Sequence, residues 1–345
     1  MPSTPARAYA DGRDARGDGP DNTVMGGLGP LRDAIVVGLG PAGAATAAML
    51  REPAGFRIAG QALDVLAVDA RSVVPTRCRV VGLKAGGLQV IGQADDLLGR
   101  AGAQATAPSG VAPIRRIEGA FRELLDRTGT ETRYGARITG IDDRGRAGVH
   151  VTFEDGTVER ARYLVDAPGG RLGPFRWDAP EGETVYLTGH LPRLASDQPF
   201  FETAKQVRVH GAANDRTVSP VFGFNDALEG ATAFVQFPSL PARADDARAA
   251  HRLLRRYLRE TGMDPRGLHH AGFIVTPHVR VPSAVDGNLV AVGDTVRRLS
   301  PRTAQGVTNA LEDARGAAWA IHDAIDGRVP QEQAFSQYAL AASRR

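Results

Sequence analysis

The sequence predicts an α/β fold in which a Rossmann-like domain is interrupted by an antiparallel β-sheet domain. Three observations predict it. A β-branched strand breaks at Gly38 into an alanine-rich helix, and a second strand ends on an acid, Asp69. Between about residues 178 and 282 the texture changes to longer extended segments, after which a buried strand delivers Gly293-Asp294.

The first element, Asp33-Ala-Ile-Val-Val-Gly-Leu-Gly-Pro-Ala-Gly-Ala-Ala-Thr-Ala-Ala-Met-Leu50, reads as a dinucleotide cradle. In such a turn Gly38 permits the sharp bend, Gly40 removes a side chain from the path of a pyrophosphate, and Gly43 lets the helix lie close on the strand. Pro41 and Ala42 open the helix, whose unpaired N–H groups and positive dipole end attract anions. The next strand, Asp64 to Arg71, places Asp69 where an acid accepts hydrogen bonds from ribose hydroxyls. The spacing from Gly43 is longer than the usual about 20 residues, and the loop from Arg51 to Gly60 accounts for the excess.

Beyond it, Arg77-Cys-Arg79 leads into a helical pattern that ends near Gly102. Arg79 reads either as a contact to a cofactor phosphate or as a solvated loop arginine. Apolar residues at 117, 121, 124 and 125 predict an amphipathic helix over 113–127. Strands are expected over Thr132 to Ile141, Gly148 to Phe153 and Thr157 to Val165, with a turn at Glu154-Asp-Gly156.

The inserted part predicts strands at Thr184 to Gly189, Gln206 to His210, Val218 to Phe224 and Thr232 to Phe237, then a helix from Arg243 to Thr261 and a strand from His270 to Arg280. Its sheet is expected to wall a substrate pocket, with Phe200, Phe201, Phe222, Phe224, Phe234 and Phe237 divided between pocket and core. The first domain then resumes: a buried strand over Gly287 to Asp294, a loop with Pro301, and a helix starting at Gln305-Gly306. The expected organisation is a disordered tail over 1–30, a first α/β part over 31–177, the β-sheet domain over 178–282 and the last α/β part over 283–345. Met25 stands as an alternative start of translation.

Composition narrows the function classes. The 42 basic and 39 acidic residues leave a net charge of +3 without a basic block or stripe, so no nucleic-acid partner is expected. Cys78 is the single cysteine, which excludes an intrachain disulfide or cysteine-cluster metal site. His190, His210, His269, His270 and His278 lack metal-ligand spacing, and no metal is expected. No run approaches the roughly 18 apolar residues of a membrane span, and the N-terminus lacks an apolar signal core, so a cytoplasmic protein is expected.

Taken in order, the glycine fingerprint, the acid-ended strand, Asp166-Ala-Pro-Gly169 and Gly293-Asp294 … Pro301 … Gln305-Gly306 … Asp313-Ala314 resemble the FAD-dependent aromatic hydroxylase superfamily of flavoprotein monooxygenases. That superfamily also contains styrene monooxygenases, flavin halogenases and geranylgeranyl reductases. The resemblance runs from about residue 31 to the end. It implies an FAD-binding domain in which Gly38, Gly40, Pro41, Ala42 and Gly43 cradle the pyrophosphate and Asp69 holds the adenosine ribose. Arg79 is carried with them, Asp294 would meet the ribityl or pyrophosphate portion, and Pro301, Gln305, Gly306, Val307 and Thr308 would flank the isoalloxazine ring.

The activity implied is oxidation of an apolar or aromatic small molecule, in secondary metabolism, by one oxygen atom from a flavin C4a-hydroperoxide. Electrons would come from NAD(P)H, directly or through a separate flavin reductase. Pro168 stands where hydroxylases of the family carry Asp, Ala304 where they usually carry Gly, and Thr308 where Asn is frequent. Asp166 to Arg176 looks more like styrene monooxygenases, which favours the partner reductase. Two other readings stay open: a flavin-dependent reductase or dehydrogenase of an unsaturated lipid or secondary metabolite, and a non-redox cyclase or accessory protein on a flavin-binding fold.

Overall fold

The structure, a computed structural model, describes residues 29–72, 79–100, 110–169, 175, 177–192, 194, 198–211, 216–226 and 229–345. The expected tail up to residue 28, and Cys78, lie outside the described residues.

In chain order the first part comprises β1 (Leu31–Val37), α1 (Pro41–Arg51), β2 (Val65–Asp69), β3 (Val80–Gly82), α2 (Ala85–Leu97), β4 (Val111–Pro113), α3 (Ile114–Arg127), β5 (Glu131–Tyr134), β6 (Ile138–Asp143), β7 (Val149–Phe153) and β8 (Val158–Asp166). The inserted part follows with β9 (Glu183–Leu191), β10 (Phe200–His210), β11 (Arg216–Asp226), β12 (Gly230–Phe237), α4 (Ala247–Glu260) and β13 (His269–Pro277). The chain returns through β14 (Val279–Arg280), β15 (Val285–Asp286), β16 (Leu289–Ala291), β17 (Arg297–Arg298), α5 (Gly306–Ile325) and α6 (Gln331–Arg344).

The larger sheet has the order β15-β16-β8-β1-β2-β5, with β7 paired to β8 and β6 to β7. Strands β16, β8, β1, β2 and β5 run parallel, and the central β1 and β2 are buried on both faces along Ala34 to Val37 and Val65 to Val68, which explains these unbroken apolar runs. Helix α1 is apolar all round because it lies between this sheet and α5, and residues Ala42 to Leu50 are all buried.

The second sheet, β10-β11-β12-β9-β13, is antiparallel throughout. Alternation gives it two apolar faces. Val185, Leu187, Val221 and Val235 pack on Leu254, Tyr257 and Leu258 of α4. Tyr186, Phe222, Phe224 and Phe234 point the other way, against Val80 and Val111 of the antiparallel β3–β4 pair. Such opposed faces let the insertion carry its own core and still meet the α/β part.

Several elements differ from the sequence reading. The strand expected over Thr132 to Ile141 is two strands, because Gly135 takes φ +73° and turns the chain between them. The helix expected from Arg243 starts at Ala247, where Asp246 accepts the Arg248 and Ala249 amides as an N-cap. The buried strand expected over Gly287 to Asp294 is ladder-paired only over Leu289–Ala291. The β3–β4 pair and α6 carry no expectation at all. Helix α6 is fixed by a buried ion pair: Arg297 Nη2 donates to Asp313 at 3.0 and 3.1 Å, Arg297 Nη1 donates to the Ala342 carbonyl at 2.8 Å, and Arg345 also pairs with Asp313.

Candidate functional site

The carboxyl ends of β1, β8, β2 and β16 meet at one edge of the parallel sheet, where ligands of open α/β folds sit. Gly38 adopts φ +91° directly above the Ala167–Pro168 peptide, so the turn needs glycine for conformation and for space. A Cβ on Gly43 would collide with the Gly38 carbonyl oxygen and press on Ala167. Gly40 is different: a Cβ there would meet no protein atom within 4 Å. It is the extended N-cap of α1 with Pro41 next, and no side chain caps the first-turn N–H groups. That end of α1 is suited to an anion.

Asp69 is buried and its carboxylate is already engaged. Leu39 N–H donates to Oδ2 at 2.8 Å, Arg71 N–H and Nε donate to Oδ1 at 2.8 Å, and Arg71 Nη2 donates to Oδ2 at 2.6 Å. Burial pushes this carboxyl up, yet the bonds from Arg71 and Leu39 outweigh it and hold it below the ordinary range. Asp69 therefore shapes the glycine turn and carries Arg71 to its rim.

Gly293 ties the late motif to the early one. At φ +63° it lies against Ala42 of α1 and Ala310 of α5, so the Gly293–Thr295 turn is wedged between the two helices. Asp166, at the end of β8, accepts from Thr295 Oγ1 at 3.3 Å, while Gly169 N–H donates to the same Oγ1 at 3.1 Å. Asp166 is 1% exposed and its Oδ2 has no partner. Burial pushes its carboxyl up to about 7 against the opposing Thr295 bond.

Beside this turn lies a cavity of about 360 Å³ between the two parts of the fold. Asp294, Pro301, Gly306 and Val307 bound one side, Arg79 to Gly82 another, and Phe224, Phe234, Ile274 and Thr276 of the antiparallel sheet a third. The amino end of α5 opens here with no side-chain cap, and Gly306 exposes its backbone. Ala304, at φ +55°, bends the chain into α5 in a left-handed conformation that glycine adopts more readily. Thr308 Oγ1 accepts the Lys84 N–H at 2.9 Å and so fixes the start of α2 to the start of α5.

Of the residues singled out in sequence, Arg79, Asp294, Pro301, Gly306 and Val307 share this cavity. Gln305 and Thr308 flank it, while Gly38, Gly40, Pro41, Ala42, Gly43 and Asp69 stand at the neighbouring sheet edge. Among the six phenylalanines, Phe224 and Phe234 line the cavity, Phe222 stacks on Phe234 at 5.5 Å, and Phe200 packs edge-on against Phe224. Phe201 and Phe237 belong to the α4 side of the sheet. His190 is buried beside His269, and burial, with His269, Arg115 and His270, pushes it down to about 4. Among the described residues no group of three or more His, Cys, Asp or Glu could hold a metal, and no helix is long and apolar enough to cross a membrane.

Ser300 and Arg298 went unnoticed in sequence, whereas Asp166 was read only as the start of the Asp166-Ala-Pro-Gly169 motif. Ser300 wets the cavity wall and is hydrogen-bonded to Tyr186 at 2.6 Å. Arg298 stacks over Trp177 at 4.4 Å and donates to the Gly169 carbonyl at 2.7 Å. The Ser-Pro helix start was a signal for Ser300; Arg298 carries none.

The profile of the FAD-binding domain family matches residues 93–339. The chain belongs to that family. Its cofactor is accordingly FAD, and its fold is that of FAD-dependent hydroxylases and monooxygenases, in line with the expected FAD-dependent oxidoreductase class. Menaquinone reductase of Mycobacterium tuberculosis is 27% identical over 230 residues, 61% of this chain and 54% of that protein. The chain thus spans about half the length of this curated relative. Menaquinone reductase of Mycolicibacterium smegmatis is 26% identical over 316 residues, covering 83% of this chain and 75% of that one. Among solved structures, PqsL, a probable FAD-dependent monooxygenase from Pseudomonas aeruginosa, superposes with a TM-score of 0.64 at 18% identity, over 91% of this chain and 92% of that one.

Proposed function

We propose that this member of the FAD-binding domain family is a monooxygenase that inserts one oxygen atom into an apolar or aromatic small molecule, with reduced flavin supplied by a partner reductase. The observation that carries the reading is the apolar, aromatic-walled cavity set directly against the uncapped start of α5.

The residues fit FAD. Gly40 leaves the front of α1 open, Asp69 holds the Leu39 amide in the turn, and Arg71 stands at the rim where an adenosine ribose would be met. Gly38, Pro41, Ala42 and Gly43 complete the pyrophosphate cradle, and Asp294, Pro301 and the backbone of Gln305 to Thr308 would hold the ring end. When bound, FAD supplies two-electron chemistry and the activation of dioxygen. The uncapped amides of α5 favour negative charge at the ring edge. Phe224, Phe234 and Ile274 exclude water and hold an apolar substrate, and the redox chemistry is the cofactor's.

A second reading, reduction of an unsaturated lipid or of a quinone, is favoured by the similarity to menaquinone reductases. The non-redox reading has no comparable support.

The deciding experiment is anaerobic reduction of the FAD-loaded protein followed by exposure to oxygen and an aromatic substrate, with product mass measured. Bleaching by NADPH alone indicates a self-sufficient enzyme, and bleaching only with a flavin reductase supports the partner. A product heavier by one oxygen atom supports oxygenation; one heavier by two hydrogens supports the reductase. Failure to take up FAD overturns both.

A further inference from the structure

A cleft of about 460 Å³ lies between α5 and α6, apart from the cavity that the oxygenation chemistry uses. Arg315, Trp319 and Asp323 line it from α5, four residues apart and therefore on one helix face. Its floor is small: Gly316 and Ala320 of α5, with Ala334 and Ala341 of α6, carry a methyl group or less. Tyr338, buried and donating to the Ala291 carbonyl at 2.6 Å, backs that floor. One wall is Trp319, which is 47% exposed although it is the largest side chain of α5.

The charges around the cleft are unevenly matched. Glu312 and Asp323, which also line it, are paired with Arg345 at 3.5 Å and Arg328 at 2.7 Å. Arg315 is half-buried, and among the described residues no carboxylate pairs with it. Its Nη1 donates to Gln89 Oε1 at 3.1 Å and its Nη2 to Gln93 Oε1 at 3.4 Å, while Nε is buried without a partner. The two amide oxygens of α2 therefore position the guanidinium without neutralising it. Burial works against its charge, and the nearby Glu312 offsets only part of that cost.

We propose that this cleft is a second ligand site, for a planar aromatic ring bearing a carboxylate or other anionic group, with Trp319 stacked on the ring and Arg315 paired with the anion. The small floor admits a flat ring where branched side chains would obstruct it. Stacking takes the exposed indole face out of water. A half-buried guanidinium without a counter-charge gains more from an anion than a solvated one does, and its planar fork suits a carboxylate. The occupant would rest on the middle of α5, the helix whose amino end opens on the cavity, so the two sites share one rigid element. The inference does not depend on the monooxygenase reading.

The test titrates the FAD-loaded protein with 4-nitrobenzoate, a planar acid that quenches tryptophan fluorescence, and with the uncharged 4-nitrobenzamide, followed by fluorescence and calorimetry. The wild type should bind the acid at least about tenfold more tightly than the amide, and Arg315→Gln should remove that preference. Trp319→Phe should keep calorimetric binding but lose most of the quenching, since Trp177 is then the remaining tryptophan. Ala341→Phe, at an exposed position of α6, fills the cleft and should abolish binding with Arg315 and Trp319 unaltered. Circular dichroism confirms that each variant is folded. Equal binding by the wild type, Arg315→Gln and Ala341→Phe overturns the site, as does a wild type that binds neither compound. Equal affinity for acid and amide overturns the anionic ligand class. None of the substituted residues lines the cavity, so the monooxygenase reading stands or falls separately.

Discussion

Asp69 Oδ2, at the end of β2, accepts the amide of Leu39 at 2.8 Å in the middle of the glycine turn. The acid is thus part of the turn's construction, and Arg71 is the group it presents outward. Asp69→Asn should lower stability by about 1–3 kcal/mol and weaken FAD binding, read by thermal unfolding and flavin titration. The folded carboxyl titrates below its unfolded value of about 3.9, so its stabilising contribution is complete above that pH and is lost as pH falls through the folded value. The variant should lack that acid limb; an unchanged limb would sink the assignment.

Asp166 has the opposite sign. Its folded value of about 7 lies above the unfolded about 3.9, so the native state holds a proton that the unfolded chain has released. Stability should therefore fall as pH rises from about 4 to about 7 and level off above. Asp166→Asn should flatten that slope in melting curves taken across the range, and a slope that persists in the variant would mean another group causes it.

The glycines of the cradle should separate folding from binding. Gly40→Ala adds a methyl that meets no protein atom, at an extended N-cap, so stability should change by no more than about 1 kcal/mol. FAD affinity should nevertheless fall at least about tenfold, as the methyl enters the phosphate path. Gly43→Ala forces α1 off the Gly38 carbonyl and should lower stability by about 1–3 kcal/mol. Equal effects on folding from the two substitutions would contradict this division.

The buried pair Arg297–Asp313 links the Gly293 turn, α5 and α6. Arg297→Ala leaves Asp313 with only Arg345 and the Gly293 amide and orphans the Ala342 carbonyl, so denaturant unfolding should show a loss of about 3–5 kcal/mol. Exposed pairs such as Arg256–Glu260 should contribute under about 1 kcal/mol. Comparable losses from both would argue against the fixing role assigned to Arg297.

Much of the fold was legible where a single local rule acts. The run into Gly38, the alanine helix behind it and the acid ending β2 are set by neighbours in sequence, because strand period, glycine geometry and helix-end polarity are local properties. Gly135, by contrast, had to adopt a positive φ before the strand expected across it became two.

The sequence by itself determined the family and the cofactor class, through the motifs that carry the resemblance, and most of the succession of elements, through periodicity, with β3, β4 and α6 left out. Only the tertiary structure decided that Asp69 is spent on Leu39 and Arg71, that Arg79 and Asp294 share a cavity with Phe224 and Phe234, and that Ser300 is hydrogen-bonded to Tyr186 of the antiparallel sheet. Those groups are brought together from segments up to roughly two hundred residues apart by the tertiary fold, and hydrogen bonds and burial depend on that arrangement rather than on the order of residues along the chain.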